Sequence, residues 1–94
     1  MLIQHKQEGS KGMFFVENDG EIQAEMVYNM PSADTMIIEH TEVGDELHGQ
    51  NVGYKLLNAL VEYVRKHNIK VIPLCPFAKS VFDKKLDIQD VLKK

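Results

Sequence analysis

Near residue 44 the spacing of apolar side chains changes from about two to about 3.6, so strands are expected first and a helix after them. Residues 12–17 alternate in polarity, as do residues 21–30. Between them Asn18, Asp19 and Gly20 supply residues that accept positive φ, which predicts a β-hairpin. In the second of these strands Ile22, Ala24, Met26, Tyr28 and Met30 share one face, while Gln23, Glu25 and Asn29 share the other. A turn is expected over residues 31–34. The segment from Thr35 to Val43 is β-branched and apolar enough for a central strand. Residues 3–5 add a short strand ahead of the hairpin.

Beyond the switch, Val52, Leu56, Leu57, Leu60, Val61 and Val64 fall on one stripe of a helix that Asn68 is suited to stop in a left-handed conformation. Residues 70–75 follow as a strand, parallel to the one from Thr35 to Val43 because a helix intervenes. Pro73 in it lacks a donor, which suits an edge or a place where the sheet splays. After Pro76 comes a helix-compatible stretch, residues 77–84, and then a polar tail. The expected architecture is α+β: a mixed, mostly antiparallel sheet with one long central helix and a short C-terminal helix.

Ninety-four residues can bury one core and not two, so residues 1–94 are read as a single minimal domain. With 44% hydrophobic and 27% charged residues, the chain sits near globular averages, and no apolar run is long enough for a membrane helix. The N-terminus lacks a basic start followed by an apolar stretch, so a cytoplasmic location is expected. One cysteine, Cys75, forms no internal disulfide, and the four histidines lack paired zinc-ligand spacing, so no metal is expected. Ten acids against two lysines give residues 1–46 a charge of −8. Nine basic residues against four acids give residues 47–94 a charge of +5. This balance disfavours nucleic acid, while the second half is suited to a phosphorylated ligand and the first to a cation; a plain solvated surface is the other reading.

The junction over residues 44–53 joins strand to helix, and its glycines let backbone approach a ligand. Free N–H groups at a helix start, beside the positive dipole end, suit an anion such as a pyrophosphate. Alternatively Gly49 and Gly53 serve only a tight turn and close packing. Neither a Gly-Lys-Ser/Thr triphosphate loop nor a Gly-x-Gly-x-x-Gly fingerprint is present, which excludes those mononucleotide and dinucleotide folds.

His48-Gly49-Gln50-Asn51-Val52-Gly53, between strand and helix, resembles the Gln/Arg-x-x-Gly-x-Gly/Ala signature of the GNAT superfamily of N-acetyltransferases. Together with Pro73-Leu74-Cys75-Pro76-Phe77-Ala78 it is similar to the small, single-domain members of that group. The likeness runs from Thr35 to about Leu92. It implies an acetyl-coenzyme A ligand whose pyrophosphate is cradled by the N–H groups of His48, Gly49, Gln50, Asn51, Val52 and Gly53, with the pantetheine beside Thr41 and Val43 between splayed strands. His48 stands where Gln or Arg is usual and Asn51 where a glycine is usual. Only residues 7–11 occupy the place of the helices that build the acceptor site in larger members, and Phe77 and Phe82 offer no hydroxyl where a tyrosine acid is usual.

Amine acetylation needs a base for the ammonium proton and an acid for the departing thiolate. On the central strand His40 is favoured over Glu39 as acid-base candidate, because its ordinary pKa is near neutrality. A hydrogen-bonded strand histidine is the plain alternative. Cys75 follows the strand that flanks the thioester in the resemblance, and the helix begun by Pro76 would lower its thiol pKa, so it is read as an acyl acceptor or as a small buried residue. The functional expectation is an N-acetyltransferase that passes acetyl from acetyl-coenzyme A to a primary amine, with a cationic acceptor. The alternative is a non-catalytic acyl-coenzyme A sensor. Partners beyond these are not expected: no nucleic acid, no membrane, and a monomer or weak dimer.

Overall fold

In the computed structural model, which describes all 94 residues, β2 (Lys11–Asn18) and β3 (Glu21–Ser32) form the expected hairpin. Its two-residue turn has Asp19 at φ 52° and Gly20 at φ 81°, the pair of positive angles that matches the twist of the flanking strands. A second hairpin through Gly9 adds β1 (Gln4–Glu8) to the outer side of β2. On the other side β4 (Thr35–Val43) pairs antiparallel with β3. β3 runs two residues past its expected end, through Pro31 and Ser32, and the turn shrinks to Ala33 and Asp34. The Asp34 carboxylate ties that turn by accepting from the Ser32 hydroxyl at 2.8 Å and the Thr35 hydroxyl at 3.2 Å.

Phe14 and Val16 of β2 and Ala24, Met26 and Tyr28 of β3 form the buried row, as alternation requires. Ile22, expected in that row, is 42% exposed, because the register slips between Val16 and Glu17 and takes it out of phase with Ala24. At the other end of the row Gly12 leaves room for Tyr28: a Cβ on Gly12 would collide with the tyrosine ring and its hydroxyl.

α1 (Val52–Lys66) lays Val52, Leu56, Leu57, Leu60, Val61 and Val64 on this row, the same six residues that the 3.6-residue spacing selects. It stops with Asn68 at φ 56° and the Ile69 N–H bonded to the Val64 carbonyl at 2.9 Å. β5 (Lys70–Pro73) then pairs parallel to β4, from Thr35 with Lys70 to Ile38 with Pro73, and completes a sheet of order β1-β2-β3-β4-β5. α2 (Pro76–Lys84) follows, with its proline in the first turn, where no N–H is needed.

The tail departs from its expected polar character. Residues 86–91 form a 3-10 helix that buries Ile88 and Val91, two apolar side chains brought to one side by its three-residue period. A pair this short carries no periodic signal in the sequence. Arg65 forks onto the Asp90 carboxylate at 2.6 and 3.1 Å and donates to the Asp87 carbonyl at 2.7 Å. Lys93 N–H donates to the Val71 carbonyl at 2.9 Å, so the tail also caps the outer side of β5.

No helix is long and apolar enough to cross a membrane. If the tail belongs to the core, Ile88→Ala should cost about 2–4 kcal/mol of unfolding free energy. Leu86→Ala, at a side chain 75% exposed, should stay within about 0.5 kcal/mol. Urea denaturation of both variants checks the contrast.

Candidate functional site

The site begins where β4 and β5 part. The Ile38 carbonyl accepts from both Leu74 N–H and Cys75 N–H, each at 3.0 Å, after which the chain turns into α2. The remainder of β4 keeps β3 on one side and has no strand on the other. A bulge at Glu39 changes the phase of this free segment: Val27 pairs with His40 and the next residue, Tyr28, pairs with Ile38. Strict alternation would have grouped His40 with Met36 and Ile38 on the helix-covered face. Instead Thr41, opposite the fully buried Met26, and Val43, opposite Ala24, face the helix. His40 lies opposite Val27 on the uncovered face, its side chain 56% exposed and 3.9 Å from the Glu42 carboxylate.

Between β4 and α1 the chain makes a short 3-10 turn, Asp45–Leu47, and then two left-handed residues, Gly49 at φ 86° and Asn51 at φ 57°. Asn tolerates this conformation better than most residues, which is how it serves where a glycine is usual. Asn51 sits at the N-cap of α1 without a side-chain bond to the helix, and no acid occupies the first turn. The first helical bond is Lys55 N–H to the Asn51 carbonyl, so the N–H groups of Val52, Gly53 and Tyr54 have no carbonyl within the helix. An uncapped helix start of this kind favours a negative group.

A cleft of about 310 Å³ opens in front of these groups. Thr41, Val43, His48, Gly49, Asn51, Val52 and Gly53 all line it; Gln50, grouped with them in sequence, does not. The structure adds Leu47, Tyr54 and Phe77. Gly53 faces Phe77: a Cβ there would lie 2.7 Å from the ring, so this glycine makes room for an aromatic wall. Tyr54 meets the same ring edge-on at 5.6 Å between centroids. In the sequence Tyr54 reads only as a packing or surface residue of the helix. Only the packing of α2 against the first turn of α1 makes it part of the cleft.

Cys75 precedes Pro76 at the start of α2 and is 3% exposed, its thiol donating to the Thr41 hydroxyl at 3.2 Å. This contact joins the two strands just past their last pair. His40 and Cys75 therefore border the same parting, but His40 lies on the uncovered face and Cys75 is buried against Thr41.

A second cleft, of about 270 Å³, adjoins the first at Val43 and is lined by Glu25, Glu42 and Asp45. Glu25 and Glu42 are direct cross-strand partners, an arrangement of like charges that costs stability.

The model of the GCN5-related N-acetyl-transferase family matches residues 13–91, and the chain belongs to that family. A GCN5-like protein from Staphylococcus aureus, solved in solution, is 39% identical over 96% of this chain and 87% of its own, with a TM-score of 0.72. Two more distant structures share the fold. The ribosomal-protein-S18-alanine N-acetyltransferase of Escherichia coli is 16% identical over 82% of this chain, with a TM-score of 0.65. A GNAT family acetyltransferase of Elizabethkingia anophelis with acetyl-CoA bound is 16% identical over 82%, with a TM-score of 0.61. The chain spans 52% and 53% of the lengths of those two proteins. A comparison with curated protein sequences gives no match.

The close approach at Gly53 predicts that Gly53→Ala displaces Phe77. The expected cost is about 1–3 kcal/mol, from overpacking, with loss of the Tyr54–Phe77 nuclear Overhauser contacts. Unchanged contacts would mean that the wall is not held by this glycine.

Proposed function

We propose that the chain, acting as one domain, binds acetyl-coenzyme A in the cleft at the start of α1 and transfers its acetyl group to a cationic primary amine. The observation that carries this reading is the uncapped N-terminus of α1 beside a parting of β4 and β5 whose inner end holds Thr41 and Cys75 3.2 Å apart. N–H groups of Val52, Gly53 and Tyr54, with the left-handed backbone at Gly49 and Asn51, suit a pyrophosphate. Val43, Leu47 and Phe77 offer apolar walls to a pantetheine chain. That a distant structure of this fold holds acetyl-CoA supports the ligand.

Acetyl-coenzyme A would supply an activated acyl group, leaving the chain to orient it, take a proton from the ammonium and return one to sulfur. His40, on the uncovered face beside the parting, is the candidate to receive the ammonium proton. On the helix side Cys75 carries a thiol proton directed at Thr41. In direct attack one ammonium proton goes to His40, the amine nitrogen forms the bond to the acyl carbon, the C–S bond breaks, and the nitrogen's second proton passes to the departing thiolate, which leaves as a thiol. The acidic cleft next to Val43 is the candidate place for the acceptor, because an ammonium there would offset the opposition of Glu25 and Glu42.

A second reading, an acyl-coenzyme A sensor without turnover, is favoured by Phe82. This residue is 1% exposed in α2 and offers no hydroxyl where a tyrosine acid is usual.

Calorimetric titration with acetyl-coenzyme A, followed by a thiol-release assay on polyamines, lysine peptides and protein N-termini, separates the readings. Binding with release is expected; binding without release supports the sensor, and no binding overturns both. Cys75→Ser and His40→Ala should each lower kcat at least about tenfold with the dissociation constant unchanged. Full turnover in either variant removes that residue from the reaction. A single added acetyl mass that Cys75→Ser abolishes would replace direct attack by an acyl-enzyme.

A further inference from the structure

The uncovered face of the sheet carries a primary ammonium of its own close to the parting. Lys11, Met13 and Phe15 of β2 alternate with Phe14 and Val16, which belong to the core under α1, so Lys11 projects from the side that no helix covers. From there its Nζ reaches the Glu39 carboxylate of β4 at 3.1 Å. Strict alternation would put Glu39 and His40 on opposite faces. The bulge sets both on the uncovered one, where Glu39 meets Lys11 and His40 lies opposite Val27.

Leu74 completes the group. Met36 pairs with Val71 and Ile38 with Pro73 on the helix side, while Ile37 pairs with Ile72 on the other. Leu74 follows Ile72 in that alternation and is 64% exposed, at the point where its N–H reaches the Ile38 carbonyl and the strands part. Cys75, one residue on, turns to the helix side and contacts Thr41.

We propose that Glu39, His40 and Leu74 form the acceptor station: Glu39 binds the ammonium beside His40, Leu74 supports the carbon chain, and the acceptor is a primary amine at the end of a methylene chain, with Lys11 a tethered competitor for the same carboxylate. The inference rests on the proposed acetyl transfer and specifies its acceptor.

A carboxylate that already holds one alkylammonium group has the charge and the position to hold another. The Lys11–Glu39 pair is open to solvent on both sides, and an exposed pair of this kind is weak, so a free amine can displace Lys11. Lys11 is poorly placed to be the acceptor itself: its backbone stands two strands, roughly 10 Å, from β4, and the parting lies on the far side of β4. Along β4, His40 and Glu42 are 3.9 Å apart, and Glu42 also lines the acidic cleft with Glu25 and Asp45. A cation drawn into that cleft therefore finds carboxylates along β4 up to Glu39, where the parting opens. Leu74 leaves apolar surface in water that a methylene chain covers and a chainless amine does not. The transfer stays balanced: one ammonium proton passes to His40, nitrogen bonds the acyl carbon as the C–S bond breaks, and the second proton leaves on the sulfur of the coenzyme.

Thiol-release kinetics on the full chain with acetyl-coenzyme A test this, with butylamine, a lysine peptide blocked at its α-amine, and methylamine as acceptors. Butylamine and the peptide are both expected to exceed methylamine in kcat/KM by about tenfold, and the better of the two identifies a free or a protein-bound source. Glu39→Gln should raise KM for both about fivefold, more than it lowers kcat, with the acetyl-coenzyme A dissociation constant unchanged. Lys11→Met should lower the same KM several-fold and should do nothing in the Glu39→Gln background. Leu74→Ser should raise KM for butylamine and leave that for methylamine in place. A KM that Glu39→Gln leaves unmoved, a Lys11→Met effect that persists without the Glu39 charge, or equal use of butylamine and methylamine overturns this assignment and leaves the transfer standing. No release from any amine by a chain that binds acetyl-coenzyme A overturns the transfer and the acceptor station together.

Discussion

The Ile38 carbonyl, taking two N–H groups from consecutive residues, is the point on which the arrangement of the cleft depends. Up to that point β4 and β5 are an ordinary parallel pair. At Leu74 and Cys75 the partner strand stops advancing, and Pro76 starts a helix, because it has no N–H to extend a ladder and its fixed φ suits a first helical turn. β4 continues for five more residues with one side open, and side chains of neighbouring elements frame a gap along that open side. Thr41 and Cys75 reach across it, and α1 starts at its mouth.

Two local irregularities make the gap usable. The bulge at Glu39 turns Thr41 and Val43 toward α1 and leaves His40 and Glu42 outside, so one strand lines the cleft with small and apolar groups while presenting titratable ones on the other face. The left-handed residues Gly49 and Asn51 bring the chain into α1 without a side-chain cap, which leaves the first N–H groups free for a ligand. A capping Ser or Asp would have stabilised the helix by about 1 kcal/mol and closed that option.

Most of the fold was legible because its signals are local. The β2–β3 turn, the stripe of α1, the stop at Asn68 and the parallel pairing of β5 follow from side-chain period and turn chemistry, and the structure agrees with each. The loop residues of the cleft were legible through a motif, since backbone approach and positive φ demand particular residue types. Tyr54 and Phe77 were not, because their meeting depends on how α2 lies against α1. Nor was the tail, where Ile88 and Val91 are too few to show a period and are held by Arg65 from another element.

The sequence by itself determined which long segments are strand or helix, which faces carry most of the core and which loop takes left-handed backbone ahead of α1. Each of these rests on interactions between residues a few positions apart. Tertiary structure alone decided which side of β4 each polar residue occupies. Alternation predicts one grouping and the bulge at Glu39 enforces another, because the register of β3 against β4 is set by burying Met26, Tyr28 and Ile38 together rather than by any residue near His40. It likewise decided that His5, Tyr28, Tyr63 and His67 meet, four residues spread over 63 positions that come together only when sheet and helix close on one core.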